Sequence, residues 1–255
     1  MNHKIEVIAK DDFRSFKKDY KVVFDYENTN VIFLMGINGC GKSTIIKAIR
    51  GTLNSNSDAQ KKWGAKYDVE MITPMFDVNI EGFDKIYHLD MDGLDNGSSF
   101  LNAADASAFI DFGGFATQNV SAGEKTMMTI AKLKKDVEDA ENTLIILDEL
   151  DNHLDFGFRN KFVPWINKIF PKSKKLIITH DIFMATISEG DVMMIEAIRS
   201  KETNYKCETL LSEPVKYENK LKHILFEVTT LHTLKKLDNN NKNKETNDNG
   251  EKESN

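Results

Sequence analysis

Residues 31–50, VIFLMGINGCGKSTIIKAIR, constrain this chain more than any other stretch. An apolar run from Val31 to Met35 stops at Gly36-Ile37-Asn38-Gly39-Cys40-Gly41-Lys42-Ser43, and a helical pattern begins at Thr44. Strand, glycine loop and helix in that order form the phosphate-binding loop G-x-x-x-x-G-K-[ST]. Gly36, Gly39 and Gly41 permit backbone angles that let main-chain N–H groups close on phosphate oxygens. The helix start adds unpaired N–H groups and the positive end of its dipole. Lys42 is expected to reach the outer phosphates, and the Ser43 hydroxyl to ligate Mg²⁺. A glycine-rich turn with a surface lysine would leave three glycines and GKST together unexplained. Cys40 lies inside this loop, where a small buried residue suffices and a reactive thiol is the lesser reading.

The totals narrow the remaining choices. A chain of 255 residues with 40% hydrophobic and 29% charged residues can build a substantial core. Its net charge of −6 gives no overall basic signature of a nucleic-acid binder. Two cysteines, Cys40 and Cys207, form no disulfide framework or metal spacing and suit a reducing cytosol. The start MNHKIEVIAK has no secretory pattern, and no run approaches the ~20 apolar residues that span a bilayer. A cytoplasmic protein without direct membrane insertion is the expectation. Any membrane role would then need a separate chain.

Alternation predicts strands at 4–9 and 20–26 with a turn at Asp11–Phe16 between them, a small antiparallel layer leading into a parallel core. The helix after the loop is expected to reach about Leu53. Further strands are expected at 66–72 and 85–90, separated by a turn-rich PMFDVNIEGFD, and a short helix at 99–110. Ser121 with Glu124 three residues on makes a capping box for a helix whose apolar face includes Met127, Ile130 and Val137. Leu144–Leu147 and Lys175–Thr179 read as buried parallel strands. A helix is expected over 155–170, broken or kinked at Pro164. A short helix at 182–188, strands at 191–198 and 204–211, and an amphipathic helix at 216–236 complete the order. Strands alternating with helices give an α/β fold with a mostly parallel core sheet. Residues 1–237 are expected as one domain, and the wholly polar 238–255 as a disordered tail.

Asp148-Glu149 stands at the end of the first of these buried strands, at the sheet edge where ligands bind. Asp148 can hold Mg²⁺, and Glu149 can polarise a water for attack on a γ-phosphate. His180 ends the second strand and can hydrogen-bond that phosphate or water. Together, Gly36–Thr44 (GINGCGKST), Ser121–Lys125 (SAGEK), Asp148–Asp155 (DELDNHLD) and Ile177–His180 (IITH) resemble the ATP-binding-cassette ATPases. The resemblance implies a P-loop ATPase head with Mg-dependent ATP hydrolysis. In it Gly36, Ile37, Asn38, Gly39, Cys40, Gly41, Lys42, Ser43 and Thr44 bind nucleotide, Ser43 and Asp148 hold Mg²⁺, and Lys42, Glu149 and His180 are catalytic. It further implies a two-fold dimer around two ATP molecules. Ser121, Ala122, Gly123 and Glu124 would then reach the partner's nucleotide, and Leu154-Asp155 would cross the seam.

Finer features resemble the SMC, double-strand-break-repair and RecF branch. Phe13-Arg14-Ser15-Phe16-Lys17 is similar to its N-F-R-S-F stretch, which implies that Arg14 lies near the phosphates. SAGEK is nearer to its S-G-G-E-K than to the L-S-G-G-Q of transporters, and Asp148–Asp151 is similar to its D-E-x-D. The chain departs from that branch at Ala122 and Val120, in having no Q-loop glutamine at a fitting position, and in carrying no coiled-coil arms between Lys42 and Ser121. The leading expectation is an ATPase whose dimer closure serves DNA or a defence or repair effector. Basic clusters at Lys17-Lys18, Lys132-Lys134-Lys135 and Lys172-Lys174-Lys175 read first as solvated faces, with contact to nucleic-acid phosphate the lesser reading. The alternatives are the nucleotide-binding subunit of a transporter and a non-hydrolysing, nucleotide-gated interaction module.

Overall fold

In the computed structural model the described residues are 2–54, 71–90, 126, 130, 134, 137, 139–150, 154, 156–202, 204 and 206–217. Met1–Lys216 form one compact unit and Tyr217–Asn255 a second. Expectations for 99–110, 121–125, 151–153, Asp155 and 218–255 fall outside the described residues.

The first layer is the antiparallel sheet the sequence led us to expect, with one more strand. β1 (Lys4–Ala9) pairs with β2 (Lys21–Asp25) on one side and with β4 (Phe76–Glu81) on the other. Its register sets Val7 beside Val22 and Val78, and Ile5 beside Phe24 and Ile80, so one face is apolar across all three strands. β4 replaces part of the turn-rich segment expected at 74–84. Phe76, Val78 and Ile80 alternate with Asp77, Asn79 and Glu81 there, and cross-strand pairing with β1 overrides the turn-forming residues. The strand expected at 66–72 is not found at its described end. Met71-Ile72 are helical and lead into a 3₁₀ turn at Thr73–Met75.

The second layer is a six-stranded sheet. It contains β3 (Val31–Gly36), β5 (Lys85–Asp90), β6 (Thr143–Asp148), β7 (Lys174–Ile178), β8 (Asp191–Ile195) and β11 (Val215–Tyr217). Their order is β11-β8-β3-β7-β6-β5, and the five strands from β8 to β5 are parallel neighbours. β3 and β6 are buried along both faces up to their last residue, which is why they read as unbroken apolar runs. α1 (Lys42–Asn54) contributes Ile45, Ile46 and Ile49 to a core shared with Ile5, Val7 and Phe24 of the first layer and Leu34, Ile146 and Ile178 of the second. At about 25 cal/mol per Å² of apolar surface, each such side chain contributes roughly 1.5–3 kcal/mol. This burial holds α1, and the loop before it, between the two sheets.

α2 (Phe156–Ile169) connects β6 to β7. It runs through Pro164 as one helix, so of the two outcomes expected there, a new helix or a kink, no new helix starts. A helix-interior proline costs about 3 kcal/mol. Phe162, Val163 and Ile166, all buried, offset that at roughly 1.5–3 kcal/mol each. α3 (Ile182–Ile187) follows β7. The strand expected over 191–198 divides at Glu196, because its second half, β9 (Ala197–Arg199), leaves the large sheet to pair antiparallel with β10 (Cys207–Leu210). Lys216 and Tyr217, expected to open a helix, belong to strand β11 instead. In the helix expected from Ser121, Thr126, Ile130 and Lys134 are helical; Ile130 and Val137 of its expected apolar face are buried, while Lys134, the alternative to Leu133 on that face, is exposed.

Candidate functional site

The strand order fixes where the chemistry gathers. β7 lies between β3, which leads into the glycine loop, and β6, which ends in Asp148. Ile178 of β7 is level with Leu34 on one side and with Asp148 on the other. Continuing past that level, Thr179 N donates to Leu34 O at 3.4 Å and Glu149 N donates to Ile178 O at 3.0 Å. The glycine loop, His180 and the Asp148-Glu149 pair therefore emerge side by side at the carboxyl edge of the sheet, where α/β folds bind ligands.

The loop is shaped by close approach. Gly41 has φ +105°, and a Cβ there would stand 2.5 Å from two ring atoms of Phe16. Phe16 is buried and packed edge-on against Phe76 and Tyr20, so the ring has nowhere to retreat. Lys42 folds back over the loop: its Nζ donates to Gly36 O at 2.9 Å and to Ile37 O at 3.3 Å. The side chain is 5% exposed. Burial pulls its pKa below the ordinary lysine value, while the carboxylates of Glu149 and Asp148 act in the opposite sense. Ser43 is exposed at the start of α1, and Asn38 and Gly39 are exposed at the loop tip. Cys40 is buried, and desolvation raises its thiol pKa, which suits a filler rather than a nucleophile.

Arg14 comes to the same place from the N-terminal layer. Phe13 and Phe16 exchange two backbone hydrogen bonds at 3.0 and 2.9 Å, closing a two-residue hairpin turn. Arg14 takes φ +55° in this turn, and its Nη1 donates to Thr44 Oγ1 at 3.2 Å. A left-handed angle outside glycine costs about 1 kcal/mol and is compensated here by a cation delivered beside the phosphate loop.

Across the site, His180 Nε2 lies 3.1 Å from Glu149 Oε1. Both side chains are about one third exposed, at 32% and 38%, so water can reach them. Glu149 also adopts a left-handed φ of +53°, which turns its side chain away from the line of β6. Asp148 is 13% exposed, and its Oδ2 lies 3.5 Å from His88 Nε2, whose Nδ1 is 3.5 Å from Arg50 Nη1. Arg50 and His88 escaped the sequence reading. His88 could have been placed by extending strand 85–90 alongside β6, since the parallel register puts it beside Ile146, two residues short of Asp148. The same register sets Asp90 level with Asp148.

The donor set fits a hard cation. No cluster of three or more metal-ligating side chains occurs among the described residues. Mg²⁺ needs none, because it binds through one or two protein oxygens, waters and substrate phosphates. Exposed Ser43 and mostly buried Asp148 carry oxygens of the kind that could supply such ligands.

These arrangements agree with the chain's relationships. Residues 20–152, just over half its length, match the family described as ABC transporter. The chain belongs to that family. Its ABC domain is 29% identical over 194 residues to the energy-coupling factor transporter ATP-binding protein EcfA of Enterococcus faecium, covering 68% of this chain and 66% of the relative. It is 28% identical over 182 residues to EcfA1 of Ligilactobacillus salivarius, covering 64% and 63%. The match thus spans just under two thirds of those relatives' own lengths. A nucleotide-free ATP-binding cassette from an ABC transporter superposes with a TM-score of 0.52 at 13% identity, covering 88% of this chain and 95% of that one. At that identity the likeness is one of fold.

Proposed function

We propose that this chain is an Mg-dependent ATPase that closes as a dimer around two ATP molecules and drives a membrane-embedded transport partner. The observation that carries the hydrolytic part is the Glu149–His180 pair at 3.1 Å, beside the loop that Lys42 clamps. Lys42 and Arg14 hold the phosphates, and Ser43 and Asp148 hold Mg²⁺, which neutralises charge developing on the transferred group. Glu149 accepts a proton from the attacking water. His180 fixes the Glu149 carboxylate and reports the phosphate. Ser121 to Glu124 and Asp155 of a second copy complete each site.

The transport partner is favoured by the EcfA-type relatives. No helix among the described residues is long and apolar enough to cross a membrane. The basic cluster at 172–175 gives little support to a DNA-directed role. Lys175 is fully buried, and Lys174 is spent on Asn30 Oδ1 at 2.7 Å and on two backbone carbonyls. The Arg14–Thr44 contact favours the second reading, an SMC- or RecF-like ATPase acting with DNA or an effector. Purifying the tagged chain from a membrane extract separates them. A stoichiometric transmembrane partner is expected. Its absence, together with ATP turnover raised several-fold by DNA at low salt, would overturn the transport reading in favour of the DNA one.

A further inference from the structure

Arg159 lies in the first turn of α2, where its charge meets the positive end of the helix dipole and no acidic residue of that turn offsets it. Its partners come from either side of the Glu149–His180 pair. Nε donates to Leu154 O at 2.9 Å, in the segment that leaves Glu149. Nη1 donates to Asp181 Oδ2 at 3.4 Å, in the residue that follows His180. Asp181 is fully engaged otherwise: its Oδ1 accepts from Met184 N at 2.9 Å, capping α3, and its own N–H donates to Thr179 Oγ1 at 2.8 Å. The histidine-bearing turn is therefore held at Thr179, at Asp181 and at α3, and through Arg159 it is tied to Leu154. Arg159 itself is 30% exposed and makes no aromatic stack among the described contacts, so its placement is set by these two polar partners.

We propose that Arg159 is a positioning residue, tying Leu154, five residues after Glu149, to Asp181, the residue after His180, so that His180 is held against Glu149. The planar guanidinium matters because two donors at a fixed separation meet two acceptors on different segments; a lysine ammonium can reach one. The proposal rests on the reading of Glu149 and His180 as the hydrolytic pair and of the Leu154-Asp155 loop as the seam with a second copy.

The test uses the full chain with Arg159→Ala, Arg159→Lys, Asp181→Asn and the double variant Arg159→Ala/Asp181→Asn. The measurements are kcat, KM, fluorescent ATP-analogue affinity and melting temperature. Arg159→Ala is expected to lower kcat tenfold or more while nucleotide affinity stays within twofold. Arg159→Lys should recover less than threefold of the loss, and the double variant should be no slower than the slower single. A kcat within twofold of wild type, losses that multiply in the double variant, or affinity falling in step with kcat would overturn it. Should Arg159→Ala not fold, Asp181→Asn must show the same kcat loss at constant affinity. ATP-dependent dimerisation of Glu149→Gln is measured in parallel. If that dimer forms and Arg159→Ala turns over normally, the positioning role alone fails. If no dimer forms and Arg159→Ala still loses kcat, the positioning role stands and the seam reading fails.

Discussion

Replacing Gly41 by alanine should strain the phosphate loop through Phe16, and the size of the effect follows from the geometry. A Cβ at position 41 would lie 2.5 Å from Cε2 and Cζ of the Phe16 ring, over 1 Å inside ordinary carbon–carbon contact. The ring is 1% exposed and wedged edge-on against Phe76 at 5.2 Å and Tyr20 at 5.6 Å, so relief requires moving the loop. Overpacking of this kind costs about 1–3 kcal/mol. The φ of +105° adds about 1–2 kcal/mol for any residue with a Cβ. Gly41→Ala should therefore lose about 2–5 kcal/mol in urea unfolding and weaken ATP-analogue binding. Phe16→Leu alone should lose about 1–2 kcal/mol from the buried ring. In the double variant the clash disappears and the φ strain remains. Its loss should fall short of the sum of the singles by about 1–3 kcal/mol. A Gly41→Ala protein within 0.5 kcal/mol of wild type, or strictly additive losses, would refute the idea that Phe16 sets the loop's shape.

Lys175 gives a pH signature. Burial lowers its pKa from 10.5 to about 8, with Asp139 opposing the shift, and its Nζ donates to Phe170 O at the end of α2. Between pH 8 and 10.5 the unfolded chain binds the extra proton, so stability should rise with pH across that window by up to about 3 kcal/mol from this group. Lys175→Met should flatten that rise in urea unfolding at pH 8 and 10; an unchanged slope would exclude Lys175 as its source. Lys42→Ala removes the clamp on Gly36 O and Ile37 O together with the phosphate cation. Equilibrium titration should show nucleotide affinity reduced by at least tenfold, about 1.5–3 kcal/mol, and affinity within twofold of wild type would contradict the role given to it.

The parts of the fold readable in the sequence are those where one local pattern dominates. β3, β6 and the Leu-Ile-Ile end of β7 are apolar runs because both faces are covered, and the glycine loop announces itself by steric need at Gly36 and Gly41. Misreadings arose where partners far along the chain decide. Asp77 and Asn79 signal a turn until β1 supplies their hydrogen bonds, and Pro164 signals a break until the buried residues around it hold α2 together. Glu196 divides one expected strand because β10, whose Leu210 N donates to Ser15 O, draws the second half away. In the candidate site, Lys42, Asp148, Glu149 and His180 are legible in the sequence, since each ends or follows a recognisable strand. Arg50, His88 and Arg159 were missed. Their places depend on strand register and on a helix turn reaching back, which no short motif records.

The central claim is that each ATP site is completed by a second copy and emptied by Glu149 and His180. The most direct measurement is the solution mass of Glu149→Gln, by light scattering on a sizing column, with and without Mg-ATP, alongside its turnover. The substitution keeps the side chain's shape beside His180 while removing its capacity to accept a proton. Turnover should fall by about 10²-fold or more. The protein should run as a monomer without nucleotide and as a dimer retaining two ATP molecules with it. A Glu149→Gln protein that hydrolyses ATP at the wild-type rate, or that stays monomeric while saturated with ATP, would contradict the claim.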